Sequence, residues 1–183
     1  MTARLLLAAL LICLCGSAWA DDALWRALRE GGYTLVVRHS ISPGSGDPAN
    51  FKLEDCTTQR NLSDDGRAQA RHIGETVRAK GVPVGDVLSS RWCRALETAR
   101  LAFGKVKGEP TLDQFYQPEE RDQRTAAVRA IMSGAPTKGT NLVMVTHQPN
   151  ITALANLSVT EGEIVVMGLA NDGTLAVYGR LKP

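Results

Sequence analysis

Apolar residues follow two rhythms along this chain, and the switches between them lay out the secondary structure. Ala23, Leu24, Ala27 and Leu28 recur at helical spacing up to Gly31-Gly32, which predicts a short helix over 23–30. Tyr33 to Val37 is a compact β-branched run that ends in the polar Arg38-His39-Ser40, the pattern of a buried strand whose carboxyl end opens onto an edge. Residues 41–61 are rich in Gly, Pro, Ser and Asp without a period and predict a long surface loop. Ser63 then caps a helix with Asp64 and Asp65 in its first turn, ending near Lys80-Gly81. A strand over 86–90 leads into a helix over 91–103, and residues 105–122 have no clear period. A helix is expected over about 123–132. Leu142 to Val145 repeats the first strand and ends in Thr146-His147-Gln148, after which Pro149 opens another helix. Two alternating runs, 163–169 and 174–181, flank Asn171-Asp172-Gly173, a hairpin signal. Strands interleaved with helices and closed by a hairpin imply an α/β domain. It is a three-layer sandwich with a mixed, mostly parallel sheet, helices on both faces and a C-terminal β-hairpin.

The first twenty residues break this rhythm. Arg4 is their only charge, Leu5 to Leu14 is apolar, and Ala18 and Ala20 flank Trp19, the composition of a secretory signal peptide cut before Asp21. The run falls short of the roughly 20 apolar residues a membrane-spanning helix needs, so no membrane anchor is expected in the mature form. The division is therefore a signal peptide over 1–20 and one domain over 21–183, placed in the periplasm or secreted. Removing the leader lowers the formal charge from +2 to +1, which supplies no electrostatic footprint for nucleic acid. Hydrophobic residues at 44% and charged residues at 22% suit a chain that folds alone, and a monomer is expected. In an oxidising compartment the two cysteines beyond the leader, Cys56 and Cys93, are expected to form a disulfide; two buried thiols are the alternative.

His39 and His147 each close a hydrophobic strand at its carboxyl end, the edge at which open α/β sheets bind ligands. Arg94 falls just past another strand end, in the first turn of a helix. Two guanidiniums offer rigid forks that match phosphate oxygens, and a neutral imidazole beside them can attack phosphorus. This combination points to a phosphatase working through a phosphohistidine at His39, with Arg38, Arg94 and His147 holding the charge that develops on the phosphoryl oxygens. A small phosphorylated substrate is the expected partner. No cofactor is implied, and no His, Cys or carboxylate cluster has the spacing of a metal site. His72, inside a helix beside Arg71, reads as a surface residue.

These segments resemble the histidine phosphatase superfamily, which includes the cofactor-dependent phosphoglycerate mutases. Arg38-His39-Ser40 is similar to its Arg-His-Gly signature, Leu62 to Ala70 to its Leu-(Ser/Thr)-x-x-Gly-x-x-Gln-Ala helix start, and Ser89 to Ala99 to its Ser-Ser-x-x-x-Arg-Ala-x-x-Thr-Ala segment. His147 is similar to its late strand-end histidine. The resemblance implies that His39 is the phosphorylated nucleophile and that Arg38, Arg94 and His147 form the phosphate pocket.

The chain departs from the family pattern at three places. Ser40 replaces Gly and brings a hydroxyl toward the substrate. Gln148 follows His147 where one branch of the family carries an acidic Asp, which aligns the chain with the other, smaller branch. That branch takes its proton donor from a Glu near Leu112-Asp113-Gln114, where this chain has Gln114. Glu119 and Glu120 lie at a workable spacing for a general acid, with Asp113 adjacent. A chain without an acid would favour substrates with good leaving groups, or would be a catalytically weak pseudoenzyme that binds phosphate ligands on the same fold.

Overall fold

The computed structural model describes residues 15–134, 136 and 138–183, with side-chain surroundings from residue 21 onward. Helix α1 (Cys15–Glu30) leads into β1 (Thr34–Arg38), and a long loop follows, containing a 3-10 turn at Cys56–Thr58. Next come α2 (Asp64–Ala79), β2 (Val84–Ser89), α3 (Cys93–Phe103), a two-residue β3 (Lys107–Gly108) and a second 3-10 turn at Pro110–Leu112. The chain closes with α4 (Pro118–Gly134), β4 (Asn141–Thr146), α5 (Gln148–Ala155), β5 (Ile164–Leu169) and β6 (Leu175–Leu181). The expected leader falls outside the described residues up to residue 14, and residues 15–20 continue the backbone of α1.

The six strands form one sheet in the order β3-β2-β4-β1-β5-β6. β1, β2, β3 and β4 run parallel, while β5 is antiparallel to β1 and pairs with β6 as a hairpin. Because successive strand residues face opposite sides, each central strand feeds two cores. Leu35 and Val37 of β1 and Val143 and Val145 of β4 pack under α1, α2 and α3, against Leu28, Ile73 and Ala99. Val36, Leu142 and Met144 pack under α4 and α5, against Val128, Met132 and Ile151. The mixed α/β sandwich with a C-terminal hairpin is therefore the architecture the pattern predicts.

Several boundaries differ. β2 begins at Val84, two residues before the predicted start, because Val84 pairs with Asn141 across a register shift. Residues 105–122 are partly regular: β3 extends the sheet beside β2, and α4 starts at Pro118, where a proline suits a first turn. The Ser63 cap forms as expected, its hydroxyl accepting from Gly66 N at 3.0 Å. Gly66 has a second duty. A Cβ there would fall 2.0 Å from Ile41 O, so only glycine lets α2 rest against the backbone that leaves the end of β1.

Candidate active site

The carboxyl ends of the parallel strands β1, β2 and β4 converge. His39 follows β1 and His147 follows β4, and their rings meet edge to face with centroids 5.3 Å apart. β1 and β4 are paired in register, Arg38 opposite Thr146, so the residues that follow them emerge side by side. His39 N donates to Thr146 O at 3.0 Å, continuing that ladder by one bond. Arg94 enters from the first turn of α3 with no exposed surface.

The two histidines are held differently. His39 Nδ1 lies 2.8 Å from Ser40 O. A carbonyl only accepts, so Nδ1 carries the hydrogen and Nε2 keeps its lone pair. Burial, aided by the fields of Arg94, Arg60 and Arg38 and opposed by the Ser40 bond, lowers the imidazole pKa to about 3 and keeps it neutral. His147 is also held well below the ordinary range, first by burial and then by Arg94. Its Nε2 lies 2.8 Å from Ser90 Oγ.

Four buried side-chain atoms around this point have no protein partner: Arg38 Nε, Arg94 Nε, Ser40 Oγ and His147 Nδ1. Such groups are normally satisfied, and among the described residues these are the unsatisfied ones, all from residues the sequence singles out. Two guanidinium nitrogens, a hydroxyl and an imidazole nitrogen form a set suited to phosphoryl oxygens.

Residues 35–115 match the family model of the histidine phosphatase superfamily (branch 1), a span that runs from β1 through α3 and the second 3-10 turn. Over that span the chain is similar to the histidine phosphatase superfamily. Solved structures share its fold at low identity. The protein histidine phosphatase SixA complexed with tungstate is 16% identical, with a TM-score of 0.60, covering 82% of this chain and 97% of that one. A phosphoserine phosphatase from Entamoeba histolytica in complex with 3-phosphoglyceric acid is 12% identical, with a TM-score of 0.64 and coverage of 82% and 97%. A mycobacterial glucosyl-3-phosphoglycerate phosphatase is 16% identical, with a TM-score of 0.55 and coverage of 74% and 89%. No curated protein sequence matches the chain.

Within this site the carboxylates lie elsewhere than the spacing predicts. Glu119 and Glu120 occupy the exposed first turn of α4, where Glu120 pairs with Arg124 at 3.1 Å. That turn borders a surface hollow between Pro110, Thr111, Gln123 and Ala127, and among the described contacts nothing joins either glutamate to His39, Arg94 or His147. α4 begins five residues earlier than expected and holds both glutamates in its exposed first turn. Asp113 is buried but committed, accepting from Ser90 Oγ at 3.3 Å and from Arg91 Nη2 at 2.6 Å. His72 is exposed on α2, as expected.

What the spacing misses is the long loop, which folds back over the site. Asp47 Oδ1 accepts from Arg94 Nη1 at 2.7 Å, and its Oδ2 accepts from Trp92 Nε1 at 2.8 Å and from Tyr116 OH at 2.6 Å. Burial pushes the Asp47 carboxyl up, but Tyr116, Arg94 and Trp92 together hold it below the usual carboxylate range. Gln114, which stands where a family acid is expected, accepts from Arg94 Nη2 at 2.9 Å. Glu161 lies 3.9 Å from both Arg38 Nη2 and His39 Nδ1 and 3.8 Å from Arg60 Nη1.

The loop is fastened at several points. Cys56 and Cys93 are joined by a disulfide with Cα atoms 5.7 Å apart, tying the loop to the residue before Arg94. Gln59 donates to Lys52 O and Leu53 O and accepts from Cys93 N at 2.9 Å. Arg60 donates to Gly46 O at 3.0 Å, directly beside Asp47. Phe51 stacks on Trp92 with ring centroids 5.1 Å apart, and Trp92 in turn lies against His147 at 5.7 Å.

Proposed function

We propose that this protein is a phosphatase that hydrolyses a phosphate ester or related small phospho-compound through a phosphohistidine at His39. The observation that carries this reading is the Ser40 carbonyl at His39 Nδ1, which leaves Nε2 as a neutral, buried nucleophile among Arg38, Arg94 and His147.

In the first step Nε2 attacks phosphorus, the N–P bond forms and the bond to the leaving oxygen breaks. Arg38 and Arg94 offset the charge that accumulates on the equatorial oxygens, and His147 Nδ1 faces the same negative charge, which favours its protonated form. Ser40 Oγ adds a donor from the first strand end. In the second step water attacks phosphorus, the N–P bond breaks and phosphate departs. The reading invokes neither metal nor organic cofactor. The expected leader at residues 1–20 makes this an exported activity, periplasmic or secreted, by a monomer.

Turnover of an aryl phosphate by the purified protein, and its loss in His39→Ala with the fold retained, tests the assignment. Trapped enzyme should carry an acid-labile, base-stable phosphoryl group. Retained turnover in His39→Ala overturns the nucleophile, and saturable phosphate binding without turnover in the wild type identifies a binding protein instead.

A further inference from the structure

We propose that Asp47 is the general acid of this site, protonating the leaving oxygen in the first step and accepting a proton from the attacking water in the second. The assignment rests on the phosphohistidine reading above and adds the group that its residues leave unfilled.

The position comes first. A leaving-group acid must stand beside the phosphoryl group on the side away from the nucleophile. Asp47 bonds directly to Arg94 Nη1, the guanidinium aimed at the phosphoryl oxygens. It is reached from His147 through Trp92, whose ring lies against the imidazole while its Nε1 donates to the carboxylate. The Asp47 side chain is 6% exposed, and so is sheltered from bulk water as a proton donor to a reacting oxygen must be.

The other carboxylates near the site are excluded by geometry. Glu161 approaches His39 at Nδ1, the ring edge opposite the attacking Nε2, and is engaged by Arg38 and Arg60. A leaving group departs opposite the attacking nitrogen, so Glu161 lies behind the nucleophile. Asp113 is consumed by Arg91 and Ser90, and Gln114 is an amide with no ionisable proton.

The charged state follows the substrate. With no phosphoryl group bound, Arg94, Trp92 and Tyr116 donate to Asp47 and favour the carboxylate, and Arg60 is the second cation in its field. A bound phosphoryl group draws Arg94 onto itself and places negative charge beside Asp47. Both changes raise its affinity for a proton, so the acid forms when there is something to protonate. Tyr116, 58% exposed and bonded to Asp47, connects the carboxyl to solvent.

The cycle balances. The Asp47 proton moves to the leaving oxygen as the O–P bond breaks and the N–P bond forms, releasing the alcohol. Asp47 as carboxylate then takes one proton from water as the new O–P bond forms and the N–P bond breaks. Phosphate leaves with His39 and Asp47 restored.

The test is a series of phosphate monoesters, from alkyl and phenyl to 2,4-dinitrophenyl phosphate, with wild type and Asp47→Asn. Alkyl and phenyl phosphate turnover should fall roughly 10²–10⁴-fold in the variant, while the dinitrophenyl ester, whose anion needs no proton, should be nearly unaffected. A uniform loss across the series overturns the assignment and makes Asp47 a binding residue. A uniform gain also overturns it and makes Asp47 an internal anion competing for Arg94. Thermal melting and tungstate titration establish that the variant is folded with an intact pocket. If it is not, Asp47→Glu, which keeps the charge opposite Arg94 but displaces the carboxyl, is read on the same series. Product release without phosphate on His39 in the wild type would overturn the function proposed above, whereas the leaving-group dependence decides on Asp47 in either case.

Discussion

Ser90 Oγ lies 2.8 Å from His147 Nε2 and reaches Asp113 Oδ1 at 3.3 Å, so one imidazole edge is tied to a buried carboxylate through a single hydroxyl. The opposite edge, Nδ1, is the one without a partner. The hydroxyl thus orients His147 toward the phosphoryl position and can accept from Nε2–H whenever His147 gains a proton. Ser90→Ala should leave Nε2 unpaired in the interior and weaken tungstate binding by about tenfold, the effect of roughly 1–2 kcal/mol. A titration followed by intrinsic tryptophan fluorescence checks this, and an unchanged affinity would remove Ser90 from the positioning of His147.

The disulfide joins residues 37 apart in sequence and fastens the loop that carries Asp47 to the start of α3. In the chain-entropy account, closing a loop of that length contributes about 3–4 kcal/mol by restricting the unfolded chain. Cys56→Ser with Cys93→Ser should lower the urea midpoint accordingly. It should also reduce turnover in the molecules that remain folded, because the bridge fastens the loop to the turn that presents Arg94. Denaturation curves with and without reductant measure the first effect, and initial rates below the transition measure the second.

Acidification should destabilise the protein through its buried histidines. The His39 pKa falls from 6.5 in the unfolded chain to about 3 in the fold, and His147 moves in the same direction. Between those values the unfolded state binds more protons, so stability is lost as pH falls from about 6.5 toward 3 and is flat with respect to these groups above that range. Asp47, held below the usual carboxylate range, adds a further loss at the acid end of the window. Denaturant midpoints across this range should slope less steeply in His39→Gln than in the wild type, and equal slopes would refute the contribution.

Gly66→Ala and Gly74→Ala separate fold from site. A Cβ at Gly66 would meet Ile41 O at 2.0 Å, and one at Gly74 would meet Ala102 O at 1.9 Å. Each overpacked contact should cost about 1–3 kcal/mol of stability. Only Gly66 abuts the chain leaving His39 and Ser40, so its variant should also lose kcat/KM per folded molecule, whereas Gly74→Ala, in α2 against the end of α3 far from Arg94, should spare it.

The periodicity of the chain carried most of the architecture. Val143 and Val145 alternate with Leu142 and Met144 because a central strand feeds two cores, and that alternation is local enough to read directly. His39, Arg94 and His147 were legible for the same reason: each sits at the end of an apolar run, and a parallel sheet brings such ends to one edge. The placement of Asp47 beside Arg94 was not legible. Glu119 and Glu120 had suitable spacing, yet α4 starts at Pro118 and turns them outward, which spacing alone does not reveal.

By itself, then, the sequence determined the strands, the strand-end histidines, the two cysteines and the family whose pattern they match, because each depends on neighbours a few residues away. Tertiary structure alone decided that Asp47 meets Arg94 across 47 residues, that Tyr116 and Trp92 close on the same carboxylate, and that Asp113 is spent on Arg91 and Ser90. An aperiodic loop carries no local signal of where it will fold. Its course is set by the Cys56–Cys93 bridge and by Gln59 and Arg60, contacts that exist only once the sheet has brought α3 alongside it.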